Sequence, residues 1–486
     1  MEEITKNIIQ NTTLLRKIHI LEKLIENDNI IPSKILANQL HCTNRTILND
    51  ISELKQILPN NWEIITIPAK GYLLKKPNFD KLAHVITPYL INSEIHKILL
   101  GIFNCKYYTL EKWSQLLYLS KSTLKKKLEN FAKTLHHFGL TFSFKTLQLT
   151  GEELNIRYFY VIYFYTIQKY KEFMNLHPYL QKKIDDITRT YGINLDINLL
   201  TIIINVFVNR HMHKCQITQN SGFKSIFYSK KVKCIKSTIS EIEQFYGMNF
   251  SEKELYFFSL SYHLISEGNI KEKIDIANYF QETHREFYKA SLSIFDIISS
   301  KFKLNFYAKE KIKHDIFYQI NKINILKQYN LPTKYILEQC NNLKREIPEL
   351  MESYGIIHPL IISWNKTLIK NRLNKNEIHY IIFNTLFAIH LNSSQKGLLL
   401  LSGPTTWKNF IYYKLNSELG NTINIYSESN NFKNYDFIIT NYKIDINNIP
   451  IPVLQISDRI NEQDLKYIRK FLYYNIVVKN KKINCK

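Results

Sequence analysis

The first 60 residues contain three segments in which apolar side chains recur at helical spacing. From Leu15 to Ile25 they recur every three or four residues, which predicts an amphipathic helix. Pro32 and Ser33 open a second helix, because both residue types suit a helix N-terminus. After a four-residue connection, a third helix follows with the sequence RTILNDISELKQIL. We expect its buried side to consist of Ile47, Leu48, Ile51 and Leu54.

A hairpin is predicted directly after the third helix. Residues 62–67 alternate like a strand, residues 68–71 form a Pro- and Gly-containing turn, and residues 72–77 return. Helix, short turn, helix and hairpin are together the parts of a winged helix-turn-helix. The alternative interpretation is a helical hairpin that packs inside a larger domain and contacts no nucleic acid.

The winged helix predicts binding to double-stranded promoter DNA. A helix fits the major groove, where amide and guanidinium groups can read base edges, while lysines on the wing meet phosphates. The forked guanidinium of Arg45 suits guanine, and Asn49 lies four residues further along the helix. The candidate DNA contacts in this module are Thr43, Asn44, Arg45, Thr46, Asn49, Lys70, Lys75 and Lys76.

The same pattern returns 77 residues later. This offset places Ile47 on Leu124 and Ile51 on Leu128, so residues 109–139 also predict a helix, a turn and a helix. Residues 140–153 supply two short strands, which predict a second wing. Two consecutive winged helices are therefore expected at the N-terminal end of the chain.

Lysines are concentrated in the second copy. Six lysines and a single glutamate fall between 121 and 145, whereas the whole chain has 65 basic and 42 acidic residues. Lysines suit phosphates, so we expect this helix to anchor the DNA backbone rather than read bases. A solvated helix face is the alternative. The candidate contacts are Ser122, Thr123, Lys125, Lys126 and Lys127.

The remainder of the chain changes its pattern twice. From about 155 to 392 one helical segment follows another, in two comparable blocks. From about 395 strands alternate with helices, which predicts a small α/β unit with a largely parallel sheet. We therefore expect a mainly α multidomain protein: winged helices at 1–80 and 81–154, helical bundles at 155–272 and 273–394, and a small α/β domain at 395–486.

Composition supports nucleic-acid binding less than its total charge suggests. The net charge is +23, but 55 lysines stand beside only 10 arginines, together with many Ile, Asn and Tyr. That usage is typical of an AT-rich genome, which adds lysine everywhere. Residues 1–80 have 10 basic and 9 acidic side chains, and residues 81–154 have 10 and 5. The DNA-binding prediction therefore depends on the repeated motif and on the lysine-rich helix.

Other classes of protein are disfavoured. The six cysteines are scattered without a CxxC pair, which indicates a reduced cytoplasmic chain rather than a disulfide scaffold or a zinc site. The N-terminus is too polar for a signal peptide, and the longest apolar runs are too short to cross a bilayer. We expect a cytoplasmic protein with no membrane partner, no metal and no cofactor.

The order of modules resembles that of the Mga/AtxA-type virulence regulators of Gram-positive bacteria. The similar segments are KGYLLKKP at 70–77, LQLTGEELNIRYF after the second wing, and IPVLQIS with NEQDL near the end. The resemblance covers essentially all 486 residues and implies two phosphotransferase-system regulation domains and an EIIB-like C-terminal domain. It also implies an activator of toxin, capsule or adhesin genes that is not an enzyme. Such regulators dimerise through the C-terminal region and respond to histidine phosphorylation by phosphotransferase-system phosphocarrier proteins.

The chain departs from this family at its phosphorylation sites. Asn198 and Asn384 stand where related regulators carry histidines, and asparagine cannot accept a phosphoryl group in the same way. His314 is the remaining candidate, with a histidine on a helix surface as the alternative interpretation. Ser402 and Gly403 replace the phosphoryl-accepting cysteine of an EIIB domain, so we expect an interaction module there.

Several alternatives to a virulence activator remain at this point. A phosphotransferase-system-responsive regulator of a sugar-utilisation operon would share the architecture, but the replaced histidines count against it. A plasmid replication initiator can carry tandem winged helices, yet it leaves the helical pair and the α/β tail unexplained. A phosphotransferase-system enzyme component is suggested by the tail alone and lacks the required cysteine.

Overall fold

The structure is a computed structural model in two compact units. It describes residues 2–27, 29–218, 229–302, 304, 306–337, 343, 350–367, 372–391, 395–420, 423–426, 434–443, 449–457 and 460–476. The first unit comprises residues 1–267 with 328–335, and the second comprises residues 268–327 with 336–486. The predicted fold class is confirmed, since helices dominate and the C-terminal part holds a small sheet.

The first winged helix has three helices and a hairpin. Its elements are α2 (Thr12–Ile25), α3 (Ser33–Gln39), α4 (Asn44–Ile57), β1 (Glu63–Ile67) and β2 (Gly71–Lys75). The two strands are antiparallel, and Ile31 adds a bridge to Tyr72 through reciprocal backbone hydrogen bonds of 2.9 Å. Gly71 is required there, because its φ is +137° and a Cβ would lie 2.2 Å from the carbonyl oxygen of Ile31. The hairpin is thereby pinned to the entry of α3.

The second winged helix is followed by the hairpin that was predicted for it. Its elements are α5 (Ala83–Asn92), α6 (Glu94–Phe103), α7 (Leu110–Leu116), α8 (Lys121–His136), β3 (Thr141–Ser143) and β4 (Gln148–Thr150). The N-terminal helix α1 (Glu3–Ile9) packs here, against α5, α6 and α8. Ser93 donates a hydrogen bond of 2.6 Å to the carbonyl of Ile8, and Asn7 donates one of 2.9 Å to Thr134. The first residues of the chain therefore help to hold the second module.

A helical block completes the first unit. It contains α9 (Glu153–Gln168), α10 (Pro178–Tyr191), α11 (Ile197–Met212), α12 (Ser229–Tyr246) and α13 (Glu252–Ile265). Arg157 of α9 is almost fully buried and donates to Glu254 of α13 at 2.6 Å. Burial opposes ionisation of Glu254, but the Arg157 guanidinium and His211 hold the pKa of that carboxyl below its usual range. This paired charge fixes α9, the first helix after the second wing, to the block.

The segment 328–335 belongs to the first unit although it comes from far along the chain. Tyr335 stacks on Phe138 with ring centroids 4.9 Å apart, and its hydroxyl lies 2.7 Å from Nδ1 of His137. Lys334 forms an ion pair of 2.6 Å with Glu3. The segment thus contacts both α1 and the end of α8.

The second unit joins a helical bundle to a parallel sheet. The bundle consists of α14 (Ile270–Thr283), α15 (Arg285–Ser299), α16 (Phe306–Gln328), α17 (Lys334–Leu337), α18 (Met351–Thr367) and α19 (Lys375–Leu391), of which Gln328 and residues 334–335 belong to the first unit. The strands are β5 (Gln395–Leu400), β6 (Ile423–Tyr426), β7 (Phe437–Thr440) and β8 (Val453–Gln455), with helices α20 (Thr405–Leu419) and α21 (Glu462–Ile476). The order β6-β5-β7-β8 is parallel throughout, which confirms the predicted sheet.

Candidate DNA-binding surface

Helix α4 begins with a defined cap that exposes its first two turns. The Thr43 hydroxyl accepts a hydrogen bond of 3.2 Å from the backbone N–H of Thr46, and the two threonine hydroxyls lie 2.8 Å apart. Asn44, Arg45 and Asn49 are exposed to solvent. The structure therefore brings the predicted base-reading residues together, while Thr43 and Thr46 serve the helix start.

Leu48 does not lie in the core, and the sequence-based prediction for it was wrong. Its side chain is 47% exposed, on the outward side that also carries Arg45 and Asn49. The buried stripe instead contains Asp50 alongside Ile47, Ile51 and Leu54. Residue type alone misplaced Leu48, because the helical period puts position 50, not 48, against α2.

Asp50 is the polar residue that this core accommodates. Only 2% exposed, it accepts hydrogen bonds from Arg16 of α2 at 2.5 Å and 2.9 Å. The hydrogen bond with Asp50 raises the pKa of Arg16 above its usual value, although partial burial opposes this. Lys17 forms a second ion pair with Glu53. A bidentate pair restricts rotation as well as distance, so it fixes the angle at which α4 presents its outer face.

The wing lysines divide into two groups. Lys70 at the turn and Lys75 at the end of β2 are exposed. Lys76 is half-buried and donates to the backbone carbonyls of Pro77 and Asp80 at 3.2 Å and 2.8 Å. Its ammonium also lies 5.9 Å from the centroid of the Trp62 ring. Lys76 therefore anchors the base of the wing, whereas Lys70 and Lys75 face solvent.

The two modules superimpose at the predicted offset down to single hydrogen bonds. Helices α7 and α8 begin 77 residues after α3 and α4. His41 and Tyr118, which occupy the same turn position, both adopt positive φ, 51° and 54°. In that turn the N–H of Cys42 donates to Ala37 and the N–H of Leu119 donates to Ser114, each at 3.0 Å. The repeat is therefore a repeat of backbone geometry.

The second module presents hydroxyls and lysines on its outer face. Ser120 caps α8 by accepting from the N–H of Thr123 at 3.1 Å. Ser122, Thr123, Lys125 and Lys126 are exposed. Lys127 is half-buried and forms an ion pair of 2.9 Å with Glu94 of α6, so it points towards the interior of the module. Lys121, which the sequence analysis did not single out, pairs with Glu111.

The regulatory candidate His314 lies inside the second unit. It is 8% exposed on α16, and its Nδ1 has no hydrogen-bond partner within the described part of the chain. Burial, followed by the charge of Lys313, lowers the pKa of His314. Asn198 is exposed in the first turn of α11, and Asn384 is half-buried in α19.

The loop after β5 is held by an amide side chain. The N–H of Ser402 donates to Oδ1 of Asn441 at 2.9 Å, and Nδ2 of Asn441 donates to the carbonyl of Ser402 at 3.0 Å. Across the described ranges, no three His, Cys, Asp or Glu side chains are grouped so as to hold a metal ion. None of the helices described has both the length and the apolar composition that crossing a membrane requires.

Comparison with known proteins matches both modules and the whole chain. A helix-turn-helix domain model matches residues 16–73, and the Mga helix-turn-helix domain model matches residues 79–164. The capsule synthesis positive regulator AcpB of Bacillus anthracis is 23% identical over 94% of this chain and 98% of its own. The anthrax toxin expression trans-acting positive regulator of the same species is 24% identical with the same coverage. The probable licABCH operon regulator of Bacillus subtilis is 20% identical over 93% of this chain and 75% of its own.

Proposed function

Since this chain is a homologue of Mga-type virulence regulators over 94% of its residues, we propose that it is a DNA-binding transcriptional activator of virulence genes. The observation that carries the proposal is the pair of capped helices α4 and α8, each of which is followed by a wing and exposes polar side chains. The relatives are named as positive regulators of capsule synthesis and of toxin expression, and we assign this chain a target of that kind. It acts in the cytoplasm by occupying DNA, without catalysing a reaction.

The two modules take different parts in binding. Arg45 and Asn49 on α4 carry the groups that pair with guanine and adenine edges in the major groove. The exposed Lys125 and Lys126 on α8 carry point charges that suit phosphates. Lys70 and Lys75 add wing contacts to the backbone of the duplex. We assign base recognition to the first module and backbone anchoring to the second.

The active species is a homodimer formed through the C-terminal region. The resemblance to the family supports this, and so does the surface of the α/β domain, where α20 leaves Phe410 and Tyr413 53% and 70% exposed. Exposed aromatic side chains are enriched in protein interfaces. A dimer doubles the number of DNA contacts and favours sites with two-fold symmetry.

Control by phosphotransferase-system phosphocarrier proteins, if this chain retains it, acts at His314. Its ring nitrogen Nδ1 is available as an acceptor, but phosphoryl transfer requires α16 to expose it first. About two negative charges in an apolar bundle would then prevent the helix from returning. Substituting His314 with alanine is expected to remove any response to sugar supply. Unchanged regulation in that variant would remove His314 from the mechanism.

Transcript profiling with and without the gene, combined with promoter footprinting by the purified chain, tests the proposed function. Promoters of surface or toxin genes should lose transcripts in the deletion and be protected in vitro. If the affected genes instead encode sugar transport and breakdown, the chain is an operon regulator, as the similarity to the licABCH regulator would favour. Absence of protection at every affected promoter would contradict direct activation.

A further inference from the structure

We propose that Leu48 recognises the methyl group of a thymine base in the DNA site, an inference that rests on the proposed function. The observation is its exposure: a large apolar side chain, 47% exposed, sits on the outer face of α4. A single exposed leucine is common on protein surfaces and by itself has no meaning. Its neighbours on the helix and the chemistry of the major groove supply the argument.

Leu48 lies in the centre of the face that points away from the module. At about 100° per residue, Leu48, Ser52, Arg45 and Asn49 fall within roughly 100° of the helix circumference. All of these side chains are exposed, whereas Ile47, Asp50, Ile51 and Leu54 on the other side are buried. Any groove that receives Arg45 and Asn49 therefore also receives Leu48.

The fold does not require an apolar residue at this position. The equivalent residue of the second module is Lys125, 77 residues later, and it is exposed on a helix with the same cap and the same preceding turn. The two modules thus hold the position outward and differ only in what it carries. In the first module it is an apolar group between a guanidinium and an amide.

One apolar group occurs on base edges in the major groove, and it is the C5 methyl of thymine. Arg45 matches the acceptors of guanine, and Asn49 matches the donor and acceptor of adenine. Leu48 completes this set by excluding water from a methyl group that neither polar side chain can recognise. The geometry is rigid enough for such a contact, because the Arg16–Asp50 pair and the Thr43 cap fix the helix.

The test starts from duplexes that the full-length protein enriches from a random-sequence library. In the enriched duplex each thymine is replaced singly by deoxyuridine, which removes only the methyl group. We expect one replacement to weaken binding about threefold to fivefold, the effect of burying one methyl. The Leu48→Ala variant should bind the thymine and the uracil duplex equally, while Leu48→Met should retain the difference.

The matched control is Ile57→Ala. Ile57 lies on the same helix and is 40% exposed, but its position is about 180° from Leu48. This variant should show the same uracil effect as the unaltered protein. The proposal is overturned if no thymine replacement matters, if Leu48→Ala keeps the full effect, or if that variant changes only the sedimentation of the protein. Failure to enrich any sequence would instead contradict specific DNA binding, and the proposal about Leu48 would fall with it.

Discussion

Arg45 offers the sharpest test of base recognition at the level of a single residue. It is exposed in the first turn of α4, where a guanidinium can form two hydrogen bonds to one guanine. Arg45→Ala should weaken binding to the specific duplex by about 1–3 kcal/mol and leave random DNA unaffected. The matched control is Arg189→Ala, which removes the same charge from an exposed position on α10. Equal loss on both DNAs, measured by titration at one salt concentration, would make Arg45 a phosphate contact.

His96 links stability to pH through its burial in α6. It is 2% exposed, and its Nδ1 lies 2.6 Å from the hydroxyl of Tyr163. Burial, helped by Lys171 and Lys97, lowers the pKa of His96 from 6.5 to about 4. The unfolded chain therefore binds more protons between these values, so this contribution to stability is complete above the unfolded pKa and declines as the pH falls.

Denaturant unfolding at pH 7 and pH 5 measures that contribution. The free energy of unfolding should decrease on acidification, with His96 accounting for on the order of 2 kcal/mol. His96→Gln should reduce the pH dependence, since glutamine does not titrate, even if it lowers stability at both values. A variant with the same pH dependence as the unaltered chain would assign the acid sensitivity to other groups.

Among the helices, α8 distinguishes a phosphate-binding face from a merely lysine-rich one. Lys125 and Lys126 are exposed, whereas Lys127 pairs with Glu94. The double variant Lys125→Ala, Lys126→Ala should lower the slope of log affinity against log salt by up to about 2. Lys127→Ala, the internal control, should leave this slope unchanged. An unchanged slope in the double variant would return these lysines to the composition of the genome.

The elements that could be predicted from the sequence are those with local causes. The cap at Thr43, the turn at 41–44 and the second copy at an offset of 77 depend on residues close together in the chain, and periodicity was enough to place them. Lys127 was assigned to the DNA face because its partner Glu94 lies 33 residues away. Leu48 was placed in the core because Asp50 finds Arg16 across 34 residues, which no local pattern indicates.

For the whole molecule, the C-terminal α/β domain should control assembly. The aromatic side chains Phe410 and Tyr413 on α20 remain exposed, and such a surface is expected to be covered in a dimer. Deletion of residues from 395 onward should shift the sedimentation profile towards the monomer. The helical content of the remaining chain serves as the control for folding. A profile in which the shortened chain stays dimeric would place the interface elsewhere.

The segment 328–335 couples distant parts of the sequence to the second winged helix. Tyr335 is 8% exposed, stacks on Phe138 and hydrogen-bonds to His137, while Lys334 pairs with Glu3. Tyr335→Ala should therefore destabilise the first unit by about 2–4 kcal/mol, as expected for a truncated buried aromatic side chain. Tyr335→Phe keeps the stack and removes the hydroxyl, so it should cost only about 1 kcal/mol.

Hydrogen exchange resolves where that loss occurs. Faster exchange in Tyr335→Ala is expected at the C-terminal end of α8 and in α1, because both contact the segment, and not in α4 of the first module. If exchange increases equally in α4, the substitution unfolds the unit as a whole. Protection confined to α8 and α1 would mean that changes entering through α16, which runs directly into residues 328–335, alter the phosphate-binding module before the base-reading one.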